Sequence, residues 1–396
     1  MNQHDPIVIV NHARTPMGGF QGDLSAAEAS DLGRVAIAAA LTRAGLPPEA
    51  VEEVIMGCVL PAGQGQAPAR QAALKAGLPL GAGATTVNKM CGSGMKAAMF
   101  AHDLLIAGSA DVIVAGGMES MTNAPYLLPK ARGGYRMGHG KVMDHMFLDG
   151  LEDAYDKGRL MGTFAEDCAQ TYGFTREEQD AFAITSLTRA QKAIAEGWFE
   201  AEIAPVTLKG RKGDTLVSID EQPGKAQPDK IPTLRPAFRE GGTVTAANSS
   251  SISDGAAALV LMRQSEAEKR GLTPKARILG HSTHAHEPSL FATAPIGAMR
   301  KLSDKTGLAM KDFDLFEVNE AFAVVTMAAM RDLDLPHDKV NIHGGACALG
   351  HPIGASGARV LVTLLAALET HGQRRGMASL CIGGGEATAV AIERLV

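Results

Sequence analysis

The chain has 396 residues, of which 45% are hydrophobic and 20% charged, and its formal net charge is −5. This length allows two or three domains with substantial cores, and the composition is that of an ordinary globular protein. Because there is no surplus of basic residues, nucleic acid is excluded as an expected partner. We find no apolar run that approaches the roughly 18 residues of a membrane span, so no membrane association is expected.

The five cysteines are spread along the chain without a C-x-x-C pair: Cys58, Cys91, Cys168, Cys347 and Cys381. An odd number of widely spaced cysteines argues against a disulfide framework and against a zinc site. The polar opening, residues 1–5, shows no signal-peptide pattern. We therefore expect an enzyme of the cytoplasm.

The first part of the chain alternates between predicted strands and helices. In chain order these are strand Ile7–Val10, a helix that begins at Leu24 and ends at Gly45, strand Val51–Val59, a helix between Gly94 and Gly108, and strand Val112–Ala115. The strands are short, apolar and β-branched, as in buried sheets, and the helices show apolar residues at helical spacing. This alternation predicts an α/β fold with a parallel sheet covered on both faces.

The alternation is lost between residues 119 and 248. One strong helical pattern, Phe174–Glu196, stands there among interspersed glycine, methionine and charged residues. We interpret this segment as an insertion that forms a lid or a substrate cradle. After it, Ala256–Met262 is predicted to return to the sheet as a buried strand.

The last third of the chain resembles the first. Gly307 lies 262 residues after Gly45, and Gly357 lies 263 residues after Gly94, each glycine preceding the same kind of element. Two copies of one α/β unit can place equivalent strand-to-helix turns opposite each other, where ligands bind in such folds. The repeat therefore predicts that the turn of Cys91 faces the glycine-rich turn at residues 343–354.

Cys91 lies where a β-branched run gives way to glycines and then to a helix. Free N–H groups at a helix N-terminus favour thiolate over thiol, yet a lone cysteine at a tight turn is more often a small buried residue. Structural and catalytic interpretations also compete for His351 between Gly350 and Pro352, Cys381 before three glycines, Asn319 after a strand, and Asn248–Ser251. Their occurrence together, in this order and on a duplicated frame, favours catalysis.

These segments resemble those of the thiolase family along the whole chain. VNKMCGSGMKA is similar to the family's acyl-enzyme segment, NIHGGACALGHPIGASG to its histidine segment, MASLCIGGGEA to its second-cysteine segment, and NEAF to its fourth signature. The resemblance implies two βαβαβαββ halves in a five-layer αβαβα arrangement with an inserted loop domain. The implied boundaries are 1–118 plus 249–268 for the N-terminal half, 119–248 for the insertion, and 270–396 for the C-terminal half.

The resemblance also implies a mechanism. Cys91 would take an acyl group from acyl-CoA as a thioester, and His351 would remove its proton. Cys381 would be the second acid–base group, a role that requires a thiol pKa tuned towards the working pH. One oxyanion hole would consist of His351 and a water held by Asn319, and the other of the N–H groups of Cys91 and Gly383. At Gly383 a side chain would block close approach.

Coenzyme A thioesters would be substrates, without a permanently bound cofactor and without a metal. The residues implied to contact coenzyme A are Leu151, Met161, Lys225, Ala246, Ser250, Ala321 and Phe322. No arginine is evident where the family usually has one near the nucleotide, so Lys225 or Lys230 is expected to replace it. The expected partners are acetyl-CoA, acetoacetyl-CoA and free coenzyme A.

The loop from Arg132 to Met146 resembles the one that joins two dimers in short-chain biosynthetic thiolases, which predicts a homotetramer. Three residues depart from that group: Leu160 where a histidine is frequent, Phe291 where a methionine is usual, and Glu386 where glutamine is more common. We expect condensation of two acetyl-CoA molecules to acetoacetyl-CoA as the first activity. A broader 3-ketoacyl-CoA thiolase is the second.

Two further classes compete with this prediction. Ketoacyl synthases of the same superfamily use one cysteine with two histidines or with His and Asn, so Cys381 argues against them. A catalytically silent protein of this fold that binds coenzyme A or lipid would have no need of intact Cys91, His351, Asn319 and Cys381. Both alternatives are therefore secondary.

Overall fold

The computed structural model describes residues 5–211 and 213–395. Its strands, in chain order, are β1 (Ile7–Arg14), β2 (Gly18–Gly19), β3 (Glu53–Gly57), β4 (Gly83–Val87), β5 (Val112–Ser120), β6 (Tyr126–Leu127), β7 (Met143–Asp144), β8 (Val206–Leu208), β9 (Thr215–Val217), β10 (Ser253–Arg263), β11 (Ala276–Ala285), β12 (Leu315–Val318), β13 (Arg375–Ile382) and β14 (Glu386–Arg394). Its helices are α1 (Ala29–Ala44), α2 (Pro68–Lys75), α3 (Ser93–Ala107), α4 (Met161–Tyr172), α5 (Arg176–Ala195), α6 (Glu221–Lys225), α7 (Gln264–Lys269), α8 (Ala294–Thr306), α9 (Ala323–Asp332), α10 (Ala346–Leu349) and α11 (Ile353–Thr370). The polar opening that is expected to lack a signal peptide lies largely outside the described residues.

The helix ends follow local chemistry. α1 begins at Ala29 and not at Leu24, because Glu28 and Asp31 form a capping box that starts the helix there. It ends at Gly45, whose φ of 65° is the left-handed geometry that glycine adopts without strain. The helix predicted over Phe174–Glu196 is α5, which begins at Arg176 after the Thr175 cap and ends at Ala195. Residues 119–248 also contain α4, a helix that the periodicity did not predict.

The two halves have the same strand order. It is β1-β10-β5-β3-β4 in the N-terminal half and β11-β14-β13-β12 in the C-terminal half, with a parallel bridge from Phe316 to Val340 where β4 stands in the first. The duplication is confirmed. The expected all-parallel sheet is wrong, because the pairs β1–β10, β10–β5, β11–β14 and β14–β13 are antiparallel. The turn from β13 to β14 has only three residues, and so short a connection returns the chain antiparallel.

Helices form three layers around the two half-sheets. α1 and α2 cover the outer face of the N-terminal half, α3 and α11 lie between the half-sheets, and α8 and α9 cover the other outer face. The five-layer αβαβα arrangement is thereby confirmed. α3 and α11 approach closely where the repeated glycines meet, since a Cβ at Gly94 would lie 2.7 Å from the nitrogen of Ala358, and one at Gly357 would overlap Met95. This contact brings the N-termini of the two helices together.

The expected absence of an apolar segment of membrane-spanning length is wrong for α11. Its 18 residues have a mean hydropathy of 1.4, which by length and composition alone would allow it to cross a membrane. However, 89% of the helix is buried inside the fold, against α3 and against strands of both halves. Its apolar composition therefore serves the central layer of the core.

Candidate active site

A cavity of about 590 Å³ lies where the two halves meet the insertion. Its lining includes Cys91 from the N-terminal half and His351, Cys381 and Gly383 from the C-terminal half. The close packing of α3 on α11 explains this meeting, because Cys91 and His351 directly precede those helices. The facing turns that the repeat predicts are therefore present.

Cys91 lies on a tight turn between β4 and α3. Met90 has a left-handed backbone with φ 47°, a conformation that costs energy in a residue with a side chain. Hydrogen bonds hold it there: the Met90 N–H donates to Asn88 Oδ1 at 2.9 Å, and Ser93 Oγ donates to the Met90 carbonyl at 2.6 Å. The Lys89 N–H donates to the same Oγ at 2.8 Å. The turn thus presents the Cys91 side chain in one defined direction.

Burial dominates the chemistry of the Cys91 thiol. It raises the pKa of Cys91 to about 11, while hydrogen bonds from the backbone N–H groups of Gly383 and of Cys91 itself oppose that shift. The expected preference for thiolate in the resting protein is therefore wrong, and the group is a thiol at neutral pH. A base is required to make it a nucleophile. The two N–H groups remain available to stabilise negative charge beside the sulfur.

His351 has the properties of that base. Its Nδ1 lies 2.5 Å from Oγ of Ser356, which donates its own hydrogen to the carbonyl of Pro352 at 2.9 Å. We therefore assign the ring proton to Nδ1, which leaves the lone pair on Nε2. That buried Nε2 has no hydrogen-bond partner among the described residues, and His351 lines the cavity. Burial, aided by the charge of Arg359, lowers the pKa of His351 to about 3, so the ring is neutral at physiological pH.

Replacing Ser356 with alanine is expected to slow acylation of Cys91 on the order of 10-fold, because the buried Nδ1–H of His351 loses its acceptor. A His351 pKa of about 3 means that the wild-type ring loses its function as a base only when the pH falls towards that value. Wild-type acylation should therefore show no acid limb near pH 6.5, which is the ordinary pKa of histidine. Rapid-mixing release of coenzyme A measures both effects.

The matched control for this variant is Ser282→Ala, which removes a hydroxyl that donates to the carbonyl of Ala298 at 2.6 Å, away from the cavity. We expect it to acylate at the wild-type rate. Equal rates in the two variants would contradict the positioning of His351 by Ser356.

Asn319 lies behind His351 and is buried outside the cavity lining. Arg359, fully buried on α11, donates from Nη2 to Asn319 Oδ1 at 3.1 Å and lies 3.4 Å from Glu317 Oε2 through Nη1. This contact fixes the orientation of the amide, so that its donor Nδ2 lies 3.5 Å from Nδ1 of His351. At that distance two donors face each other without a hydrogen bond. The water that Asn319 is expected to hold stays a prediction.

Cys381 ends β13 at the cavity wall and is 1% exposed. Burial, followed by the charge of a Cys91 thiolate, raises the pKa of Cys381 well above its ordinary value. The resting protein therefore does not show the lowered thiol pKa that the role of acid–base group requires. Because Cys91 is itself an uncharged thiol at neutral pH, burial is the cause that keeps Cys381 protonated in the resting protein.

The protein itself leaves room for a side chain at Gly383. A Cβ at this position would lie 3.7 Å from the terminal methyl of Met161, which is ordinary van der Waals contact. The expected block to close approach at Gly383 stays a prediction. The need for glycine is clearer at Gly384 and Gly385, whose φ values of 92° and 81° are strained for other residues.

Most residues expected to contact coenzyme A line the same cavity: Leu151, Met161, Ala246, Ser250, Ala321 and Phe322. Ser250 donates through both its N–H and its hydroxyl to the carbonyl of Ala321, at 2.9 and 3.0 Å. Lys225 lies outside this lining and is ion-paired with Glu221. A second cavity of about 230 Å³ shares Ala246 with the first and is lined by Lys230. Lys230 is therefore the better placed of the two lysines.

Two of the residues that depart from the short-chain pattern also line the cavity. Leu160 precedes α4 and presents an apolar side chain there. Phe291 is 2% exposed and packs edge-on against Phe322 and Phe164, with ring centroids 6.3 and 6.4 Å apart. Phe291 is therefore held rigidly in the wall, so it sets the width of the cavity at that point.

The motifs alone did not single out Glu119, a buried carboxylate that joins the segment after β3 to the first turn of α11. It accepts hydrogen bonds from the N–H groups of Val59, Leu60 and Gly354, at 2.9, 3.1 and 2.8 Å. Burial raises the pKa of Glu119 to about 7. The sequence did contain one sign of this role, since Glu119 is a charged residue near the end of the otherwise apolar strand β5. Ser356 and Arg359 were missed likewise, although both follow His351 on α11.

Among residues 5–211 and 213–395, one group of side chains could hold a metal ion. His102, Asp103 and His281 place three potential ligand atoms within 4.8 Å of one another, on α3 and β11 and outside the cavity lining. Both imidazoles lie within hydrogen-bond distance of Asp103 Oδ1, at 3.0 and 2.9 Å, so the group satisfies itself without an ion. We assign it no part in the site.

Two cysteines, a neutral histidine and backbone donors in one cavity define a class of enzymes that transfer acyl groups through a cysteine thioester. Family models described as thiolase N-terminal domain and thiolase C-terminal domain match residues 7–265 and 272–394. The chain belongs to the thiolase family, and it is an acyltransferase.

Individual relatives agree over the full length. The acetyl-CoA acetyltransferase of Syntrophomonas wolfei is 47% identical over 393 residues, which are 98% of this chain and 99% of that protein. The crystal structure of the Bacillus anthracis acetyl-CoA acetyltransferase matches with a TM-score of 0.97 and 40% identity over 100% of both chains. A thiolase from Ascaris suum in complex with coenzyme A matches with a TM-score of 0.93 and 40% identity, over 98% of this chain and 100% of that one.

Proposed function

We propose that the protein is an acetyl-CoA acetyltransferase, which condenses two acetyl-CoA molecules to acetoacetyl-CoA and coenzyme A and also runs in reverse. The observation that carries this proposal is the opening of Cys91, His351, Cys381 and Gly383 into one cavity. The full-length relatives named acetyl-CoA acetyltransferase support the substrate. A silent binding protein would not need this set of reactive groups.

In the first step, His351 Nε2 takes the proton of the Cys91 thiol as the sulfur attacks the thioester carbonyl. The N–H groups of Cys91 and Gly383 stabilise the oxyanion, and the departing coenzyme A thiolate takes the proton from His351. In the second step, Cys381 acts in its thiolate form and removes an α-proton from a second acetyl-CoA. The resulting enolate attacks the Cys91 thioester, and the Cys91 thiolate is released when the new carbon–carbon bond forms. Transfer of the proton from Cys381 to the Cys91 thiolate then restores both residues.

The predicted insertion, residues 119–248, is proposed to cradle coenzyme A. The pantetheine arm would follow the apolar wall formed by Leu151 and Phe322, and the nucleotide would extend into the second cavity, where Lys230 supplies a positive charge. Coenzyme A thioesters are substrates in this proposal, and neither step calls for a resident cofactor.

A chain-length series tests the substrate. We expect thiolysis of acetoacetyl-CoA to have the highest kcat/KM. The buried Phe291 ring limits the cavity wall, so a longer acyl chain would not gain the binding energy of about 0.8 kcal/mol that burial of each added methylene otherwise supplies. The alternative, a broader 3-ketoacyl-CoA thiolase, is favoured by the apolar Leu160 in the same lining. A preference for 3-ketoacyl chains of six carbons or longer would require a wide apolar pocket. That result would contradict the first proposal and support this alternative.

A homotetramer in the cytoplasm is part of the proposal. The segment 126–142 supports the assembly, since it exposes Tyr126, Met137 and Val142 by 68%, 93% and 62% among several basic residues. Apolar side chains this exposed are typical of interaction surfaces. Sedimentation of the whole chain should give four subunits, and polar replacement of Met137 should shift them towards dimers. Cell fractionation tests the location.

A further inference from the structure

The turn that carries Gly383 consists of three glycines between β13 and β14. Ile382 and Glu386 are paired partners on the two strands, so residues 383–385 close the hairpin without any side chain of their own. Glycines are the most flexible residues of the chain, and a turn built from them does not hold its own position. Yet the Gly383 N–H must point at the Cys91 sulfur to act as an oxyanion donor. The His286 N–H donates to the Gly385 carbonyl at 2.9 Å and holds the far end of the turn, so the Gly383 end is the part that needs a further support.

An ion pair joins this turn to the turn of Cys91. Nζ of Lys89 contacts Oε2 of Glu386, and the side chains are 22% and 34% exposed. Glu386 is the first residue with a side chain after the glycines, and Lys89 lies two residues before Cys91. The pair therefore connects the N-terminal half directly to the C-terminal half beside the reacting atoms.

The Lys89 end of the pair is rigid. The backbone N–H of Lys89 donates to Ser93 Oγ at 2.8 Å, and its carbonyl accepts from the Gly92 N–H at 3.0 Å. A Cβ at Gly92 would overlap Ile382, so the two turns are already in contact at their bases. Lys96, on the first turns of α3, is a second cation close enough to attract Glu386. Both cations thus favour the position of Glu386 against the Cys91 turn.

We propose that Lys89 and Glu386 are positioning residues whose ion pair sets the separation between the Gly383 N–H and the Cys91 sulfur. The role rests on the proposed acyl transfer, where loss of a whole oxyanion donor costs on the order of 10²–10³ in rate. The ion pair does not touch substrate. It holds the glycine turn where the donor is effective.

Charge reversal tests the ion pair. The variants are Lys89→Glu, Glu386→Lys and the double exchange, and the activity is thiolysis of acetoacetyl-CoA. Each single variant should lower kcat about 10-fold, which is less than the rate loss expected when a whole oxyanion donor is removed. KM should change less than about two-fold. The double exchange should recover most of the lost kcat. A purely structural pair would instead change the melting temperature and leave kcat intact, and that result would overturn the proposal.

Alkylation of Cys91 by iodoacetamide gives a readout that does not depend on thiolase activity. Displacement of the Gly383 N–H should raise the apparent pKa of Cys91 in both single variants, because a hydrogen bond to the thiolate is lost. A direct charge effect on Cys91 would move the two variants in opposite directions, since one adds a negative and the other a positive charge. Opposite shifts would therefore overturn the proposal. Equal upward shifts without any turnover would leave the ion pair established and the proposed function refuted.

The matched control is Lys75→Glu. Lys75 Nζ lies 2.7 Å from Asp31 Oδ1, the side chains are 35% and 41% exposed, and the pair joins α2 to α1 on the outer face of the N-terminal half. Reversal of this charge should leave kcat and the alkylation of Cys91 at wild-type values. A loss equal to that of the Lys89 variant would show that any broken ion pair has this effect.

Discussion

Replacing Cys91 with alanine is expected to lower both thiolysis and condensation on the order of 10⁴-fold or more, because the thioester can no longer form. The wild-type protein incubated with acetyl-CoA should carry one acetyl group on the peptide that contains Cys91. Intact mass followed by peptide mapping measures this. The buried environment that raises the pKa of Cys91 also predicts slow alkylation at neutral pH compared with an exposed cysteine.

Cys168→Ala is the control for that variant. Cys168 is a free cysteine buried in the cluster of α4 with α8 and α9, outside the cavity lining. Its removal should leave activity within a few-fold of wild type, since a small buried cysteine contributes packing alone. An acetyl group found on Cys168 in place of Cys91 would refute the assigned nucleophile.

Replacing Cys381 with alanine is expected to separate the two half-reactions. Acylation of Cys91 should continue at nearly the wild-type rate, because its base is His351. Condensation should fall by about 10²–10⁴-fold, the usual contribution of a positioned acid–base group. A stoichiometric burst of coenzyme A from acetyl-CoA, followed by little turnover, is the measurement that shows the separation. Equal loss of acylation and condensation in Cys381→Ala would assign Cys381 to the first step and contradict its role as the α-proton base.

Local sequence patterns predicted most of the elements and the candidate reactive residues. The glycine turn around Cys91, the turn before His351 and the glycines after Cys381 are local patterns, since turn geometry and helix starts depend on neighbouring residues. The repeated glycines even predicted that the turns face each other, and Gly94 and Gly357 do meet at the contact of α3 with α11. Local chemistry and internal repetition were therefore enough to predict that the Cys91 turn and the turn before His351 lie close together.

Three properties required the folded structure: the direction of the strands, the protonation states of Cys91 and His351, and the contacts that hold the site residues in place. β10 and β14 each run antiparallel to their own neighbours in the sheet. Their direction depends on which strands become neighbours, a property that hydrophobic periodicity does not encode. The pKa values of Cys91 and His351 follow from burial, which distant segments create, and so the helix N-terminus alone misled about the thiolate. Arg359 and the Lys89–Glu386 ion pair reach their partners across 40 and 297 residues of sequence, so they become visible only once the chain has folded.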